Sequence, residues 1–159
     1  MGWNLRDPEM ERETLTTKLP ETVLLDSSVV LKWFRKDEVW RDEALRLRQA
    51  YLDGHILICV PDLLIYEIAN VLRYKPGLTR RQVQEALDSL FDMQIRIIEI
   101  SHEVIRQAIH LAYSYDITVY DATFVATAES LNIQFITADD KLSQKIVDLS
   151  HVRHISLFP

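Results

Sequence analysis

Residues 118–142 read TVYDATFVATAESLNIQFITADDKL, and their pattern decides the fold class. Phe124, Val125, Ala128 and Leu131 recur at helical spacing, and residues 133–136 form a short apolar run of strand character. A helix, a tight turn and a buried strand are expected, with acid at both ends. Asp121 opens the helix, and Asp139 and Asp140 follow the strand. Asp121 shares the stripe of Phe124, Val125 and Ala128. A carboxylate that starts on the core-facing side is there because it is capped or because it is used.

The same alternation extends outward. Upstream, a strand is expected over residues 22–26, then a helix over 29–34 that Ser27 or Ser28 can cap. A second helix follows over about 39–52, with Trp40, Ala44, Leu47 and Tyr51 on one face, and a strand over 56–60. Pro61 and Asp62 start the helix LLIYEIANVLR, whose apolar stripe is Leu64, Ile68, Val71 and Leu72. Glu67 lies on that stripe. Thr79 and Gln82 form a capping-box pattern ahead of a helix carrying Val83, Ala86, Leu87, Leu90 and Phe91. A strand over 95–100 and a helix from Ser101 to Tyr115 complete the upstream part. Downstream, a helix over about 140–149 leads to a strand over 152–157. Alternating helices and short, continuously apolar strands predict a parallel sheet covered on both faces, a three-layer α/β/α domain over residues 21–159. Residues 1–20 lack periodicity and read as an arm.

Composition narrows the function. The 159 residues, 48% apolar and 26% charged, suit one soluble domain. No apolar run approaches the roughly 20 residues of a membrane span, and the charged start MGWNLRDPEMERETL is unlike a signal peptide. The single cysteine, Cys59, is expected to be a small buried residue, and it fits a cytoplasmic location. The net charge of -6 argues against coating nucleic acid by bulk attraction. It leaves room for a nuclease that gathers acids in one cleft and keeps cations at the rim. With three glycines there is neither a dinucleotide loop nor a P-loop, and no H-E-x-x-H or G-x-S-x-G motif occurs. His151 and His154 are expected at the surface.

Ligands of open parallel sheets bind beyond the carboxyl ends of the strands. Asp26 ends the first strand, Asp139 follows the strand over 133–136, and Glu67 and Asp121 lie near helix starts. Each has an ordinary reading alone: Thr118–Asp121 and Thr137–Asp140 resemble capping boxes, and Asp139 could be an N-cap. Together, four carboxylates at one edge repel and are costly to bury unless a cation neutralises them. Oxygen-only donors favour Mg²⁺ or Mn²⁺, ions that activate water for phosphodiester hydrolysis.

At LLDSSVVLKWF, PDLLIYEIANVL, TVYDATFVATAE and FITADDKL the chain resembles the PIN-domain family, most closely the VapC-type toxins of toxin–antitoxin pairs. The resemblance implies a five-stranded parallel sheet between helices. It implies a Mg²⁺- or Mn²⁺-dependent endoribonuclease that leaves a 5′-phosphate and a 3′-hydroxyl. Asp26, Glu67, Asp121 and Asp139 would line the metal site, with Asp26 and Asp121 as direct ligands and Ser28 and Thr137 in support. It further implies a homodimer and a small antitoxin partner. The arm of residues 1–20 departs from the family pattern.

Two rival readings are a PIN-shaped RNA- or protein-binding module without catalysis and a phosphoacceptor signalling domain. The latter calls for paired acids at the first strand, where Leu25 precedes Asp26, and a lysine in the last strand, which has none. The expected cationic rim comprises Arg35, Lys36, Arg73, Lys75, Arg80, Arg81 and Lys141, with Lys141 nearest the acids. A dimer patch is expected on the helices around Tyr66, Tyr74 and Phe91.

Overall fold

The apolar runs of the sequence become the strands of one sheet in the computed structural model, which describes residues 20–158. Apart from Pro20, the arm expected over 1–20 lies outside the described residues. The strands are β1 (Glu21–Leu25), β2 (Ile56–Pro61), β3 (Arg96–Ile98), β4 (Gln134–Thr137) and β5 (Val152–His154). They lie in the order β3-β2-β1-β4-β5, every pair parallel. The connections are the helices α1 (Ser27–Phe34), α2 (Arg41–Leu52), α3 (Leu63–Tyr74), α4 (Arg80–Asp92), α5 (His102–Tyr115), α6 (Val119–Leu131) and α7 (Asp140–Lys145). The expected α/β fold with five parallel strands is the one observed.

The chain builds outward from β1 in one direction through β2 and β3, then returns to add β4 and β5 on the other side. The order reverses between β1 and β4, where Leu25 sits opposite Ile136. Such a switch point opens a crevice beyond the strand ends.

The core follows from burial on both sheet faces. Val23, Leu24 and Leu25 of β1 are fully buried, and Phe124 of α6 meets Phe135 of β4 with ring centroids 6.5 Å apart. Cys59 is buried, as expected, with its thiol directed at the Val23 carbonyl. Helix α6 departs from expectation: residues 122–128 are buried without interruption, so it is a core helix with no solvent face over those turns. Two hydroxyls inside it are satisfied locally, Thr123 donating to the Val119 carbonyl and Thr127 to the Thr123 carbonyl, each at 2.7 Å.

Several boundaries move for identifiable reasons. Trp40 takes a left-handed conformation (φ 64°), so α2 begins at Arg41 and not at 39. The strand expected over 95–100 contracts to the three residues of β3, an edge strand with a single neighbour. The strand expected over 152–157 stops at His154, whose Nδ1 accepts from the Ser156 N–H and turns the chain into a 3₁₀ turn, Ile155–Leu157. The helix expected to reach 149 ends at Lys145. Val71 leaves the buried stripe of α3 and faces solvent. His151 and His154 are partly buried, contrary to expectation. His154 meets Trp40 edge-on at 5.5 Å and stands 3.0 Å from an Asp140 carboxylate oxygen.

The capping box at Thr79 is complete: its hydroxyl accepts from the Gln82 N–H, and the Gln82 side chain accepts from the Thr79 N–H. Thr79→Ala should lower the unfolding free energy by about 1 kcal/mol. The expected signature is a lower urea midpoint with an unchanged m-value.

Candidate active site

Asp26 stands at the switch point, immediately after β1. Its N–H donates to the Ile136 carbonyl at 2.9 Å, and its carbonyl accepts from the N–H groups of Val29 and Val30. It is therefore the N-cap of α1, yet its carboxylate caps no backbone group. Instead Oδ2 accepts from the Ser28 hydroxyl at 2.6 Å and from the Thr137 hydroxyl at 2.8 Å. Each hydroxyl also accepts: Ser28 from the Ala138 N–H at 2.9 Å, Thr137 from the Asp139 N–H at 3.0 Å. Both hydroxyl protons are spent on one carboxylate oxygen, and the β1–α1 and β4–α7 junctions are tied together through it. Burial pushes the Asp26 carboxyl up to about 7. Its two hydroxyl partners oppose the rise, and the charges of Asp121 and Glu67 add to it.

The other acids surround it at decreasing depth. Glu67, in the second turn of α3, is half-buried, and its Oε2 accepts from the Ser27 hydroxyl at 2.6 Å. Asp121, in the first turn of α6, is also half-buried, and its N–H donates to the capping Thr118 hydroxyl. Burial raises both above the usual carboxylate range. Asp121 adds to the rise at Glu67, and Asp139 adds to the rise at Asp121. Asp139 is exposed. The four expected acids thus share one electrostatic neighbourhood, with Asp121 linking the others.

The turn before α7 corrects one expectation. Thr137 does not cap the helix, because its hydroxyl is committed to Asp26. Asp139 is the N-cap, with Oδ1 accepting from the Leu142 N–H at 3.0 Å. Asp140, expected as the capping-box partner, faces His154 instead.

Three further residues escaped the sequence reading in whole or in part. Ser27 reads only as a helix cap, and Ser28 as a cap or, through the family resemblance, as support for the acids; they orient Glu67 and Asp26. Lys145, held by the Asp116 carbonyl and carboxylate, is the cation whose charge favours ionised Asp121. Lys141, expected at the cationic rim, is exposed, like Arg80 and Arg81. Arg81 is already paired with Glu85 at 2.7 Å.

Among the described residues, no three carboxylate, imidazole or thiolate groups are grouped closely enough to ligate one ion. The donor set nevertheless fits a hydrated hard cation, which keeps several waters and takes one or two carboxylates. Asp26 Oδ1, Glu67 Oε1 and Asp139 Oδ2 receive no hydrogen bond from the described residues, while the partner oxygen of each is anchored. A hollow of about 560 Å³, lined by Leu63, Tyr66, Glu67, Asn70 and Tyr120, opens beside Glu67. A second hollow, of about 470 Å³, lies at the opposite end of the strands around Glu21, Thr22 and Gln134, away from the carboxylates.

Folding raises the Asp26 pKa from 3.8 to about 7, so between those values the native state holds a proton that the unfolded state has released. The associated stability is fully present below 3.8 and is lost as pH rises towards 7. The metal-free protein should therefore melt lower at pH 8 than at pH 5, and Asp26→Asn should remove most of that difference in thermal scans. At the next site, Asp139→Ala should lose the cap and about 1 kcal/mol, whereas Asp139→Asn, which caps equally well, should leave the melting temperature nearly unchanged.

The comparisons with known proteins agree with this architecture. The PIN domain profile matches residues 23–146. Ribonuclease VapC3 of Pyrobaculum aerophilum is 35% identical over 88 residues, covering 53% of this chain and 67% of that protein. The structure is similar to a toxin–antitoxin complex from Klebsiella pneumoniae, with a TM-score of 0.63 at 19% identity over 84% of this chain and 97% of that one. It is also similar to VapC20 of Mycobacterium tuberculosis, described as a Sarcin-Ricin loop cleaving toxin, with a TM-score of 0.61 at 16% identity over 77% and 93% of the two chains. The profile match spans most of the chain, and the fold is that of the solved toxin structures: the chain belongs to the PIN domain family, among relatives that are VapC-type toxin ribonucleases.

Proposed function

We propose that the chain is a divalent-metal-dependent endoribonuclease and the toxin of a toxin–antitoxin pair. The observation that carries this reading is Asp26: a buried carboxylate with one oxygen locked by two hydroxyls and the other left open, beside Glu67 and Asp121. Asp26 and Asp121 would hold Mg²⁺ or Mn²⁺, with Glu67 and Asp139 completing the acidic ring. When bound, such an ion lowers the pKa of water and neutralises charge on the phosphate being cleaved.

The chain's own residues prepare that site. Ser28 and Thr137 fix the rotamer of Asp26, and Ser27 fixes Glu67. Lys145 favours the ionised form of Asp121. In this reading residues 21–159 are the nuclease domain and residues 1–20 precede it as an arm. The toxin–antitoxin complexes among the structural relatives support a small antitoxin partner. Exposed Phe91 on α4 supports a homodimer contact. No helix among the described residues is long and apolar enough to cross a membrane. An RNA substrate and a lone buried cysteine support a cytoplasmic location.

Asp26→Asn and Asp121→Asn should each lower Mg²⁺- or Mn²⁺-supported RNA cleavage by at least about 10- to 100-fold, the usual effect of disturbing a metal shell, while circular dichroism stays native. Full activity in either variant would contradict a metal site built on these acids, whereas absence of metal-supported cleavage by the wild type would leave the non-catalytic binding module in its place. For the rim, joint replacement of Arg80, Arg81 and Lys141 should reduce the salt slope of RNA binding by somewhat less than one for each phosphate that is no longer neutralised. An unchanged slope would move the rim elsewhere.

A further inference from the structure

Helix α3 leads away from Glu67 along a stripe that no catalytic role explains. Tyr66, Asn70 and Tyr74 recur at intervals of four and therefore share one face. The two tyrosines are each 74% exposed, and Tyr120 of α6, on the facing wall, is 62% exposed. The hollow of about 560 Å³ that begins at Glu67 ends at Asn70. Asn70 also lines the next hollow, of about 370 Å³, with Arg35, Tyr74 and Lys75. The two share Asn70 and so follow one another along α3, from Glu67 to Arg35 and Lys75.

The far end is basic in a protein of net charge -6. The Arg73 guanidinium lies 5.4 Å from the Tyr74 ring centroid. Among the described residues neither Arg73 nor Lys75 makes a salt bridge, whereas Arg35 is neutralised by Glu38 at 2.7 Å. Exposed rings on a track with free cations are the features of a single-strand binding path: the rings take base faces and the cations take phosphates. A paired strand keeps its bases stacked inside the duplex and cannot offer them to tyrosine. Eight helical residues separate Tyr66 from Tyr74, a rise of about 12 Å, room for a short unpaired segment beside the cut.

We propose that the α3 groove from Glu67 through Asn70 to Lys75 binds the unpaired stretch of RNA flanking the cleavage point, with Tyr66 and Tyr74 as base-stacking platforms and Lys75 as a phosphate contact. The assignment rests on the ribonuclease reading and adds to it the form of the substrate. Exposed rings alternating with unpaired cations, on a path that begins beside Glu67, favour this occupant over a protein. The assignment also removes Tyr66 and Tyr74 from the dimer patch and leaves Phe91 there.

The test is fluorescence anisotropy of a labelled oligoribonucleotide in chelating buffer, where binding is read without cleavage. Wild type should bind the single strand more tightly than a duplex of the same sequence. Tyr66→Ala and Tyr74→Ala should each weaken single-strand binding by about 5- to 100-fold, the range for losing one stacked base. Tyr→Phe at either position should restore it. Lys75→Ala should lower the salt slope by about 0.7. The tyrosines are exposed, and unchanged melting curves would verify that the variants fold. Equal affinity for duplex, absent binding by wild type, or unchanged affinity in both alanine variants would overturn the assignment. So would a fall in mass by light scattering with RNA affinity intact, which would make the stripe a contact between copies. These outcomes concern the groove alone; the nuclease reading fails separately, through metal-supported cleavage that ignores Asp26→Asn.

Discussion

The two short hydrogen bonds from Ser28 and Thr137 to one oxygen of Asp26 hold the site together. A carboxylate at 3% exposure is costly to ionise. The hydroxyls offset part of that cost, and because each also accepts a backbone N–H from the β4–α7 turn, they bind both sides of the switch point to the same group. The remaining cost appears as a carboxyl that titrates near neutrality. A protein that needed only a link between β1 and β4 could use a neutral pair there. Keeping an acid, with one oxygen open, is sensible for a group whose charge is to be matched by a cation.

The fold delivers the remaining acids to that point from separate elements. Glu67 comes from α3, Asp121 from α6 and Asp139 from the start of α7. Parallel topology places every strand exit on one edge, so the residues after β1 and β4 and the opening turns of the crossover helices face the same crevice. The buried α6 holds Asp121 by packing, while α3 presents Glu67 on one side and an exposed tyrosine stripe on the next. Recognition and chemistry can therefore occupy adjoining faces of a single helix.

Much of this was legible in the sequence because it is written in local pattern. The strand–helix alternation, the Thr79 capping box and the placement of acids after apolar runs depend on near neighbours. What was not legible depends on partners distant along the chain. Ser27 reads as a cap until α3 brings Glu67 to it from 40 residues away. Local pattern makes either Thr137 or Asp139 the cap, and only the family resemblance puts Thr137 beside the acids; β1 brings Asp26 to Thr137 from 111 residues away, and capping falls to Asp139. Burial of α6 on every side depends on what packs against it, which its own periodicity does not reveal. Lys145 is not marked by its own neighbours, because its partner Asp116 lies 29 residues away along the chain.

Calorimetric titration of Mn²⁺ into the purified protein near pH 6, in buffers of different ionisation enthalpy, puts the metal site to its sharpest test when wild type and Asp26→Asn are compared. An ion bound at Asp26 must displace the proton that this carboxyl holds below about 7. Wild type should bind the ion with release of about one proton, and the variant should lose both binding and release. Equal binding by the two proteins, with equal proton release, would refute a metal site built on Asp26.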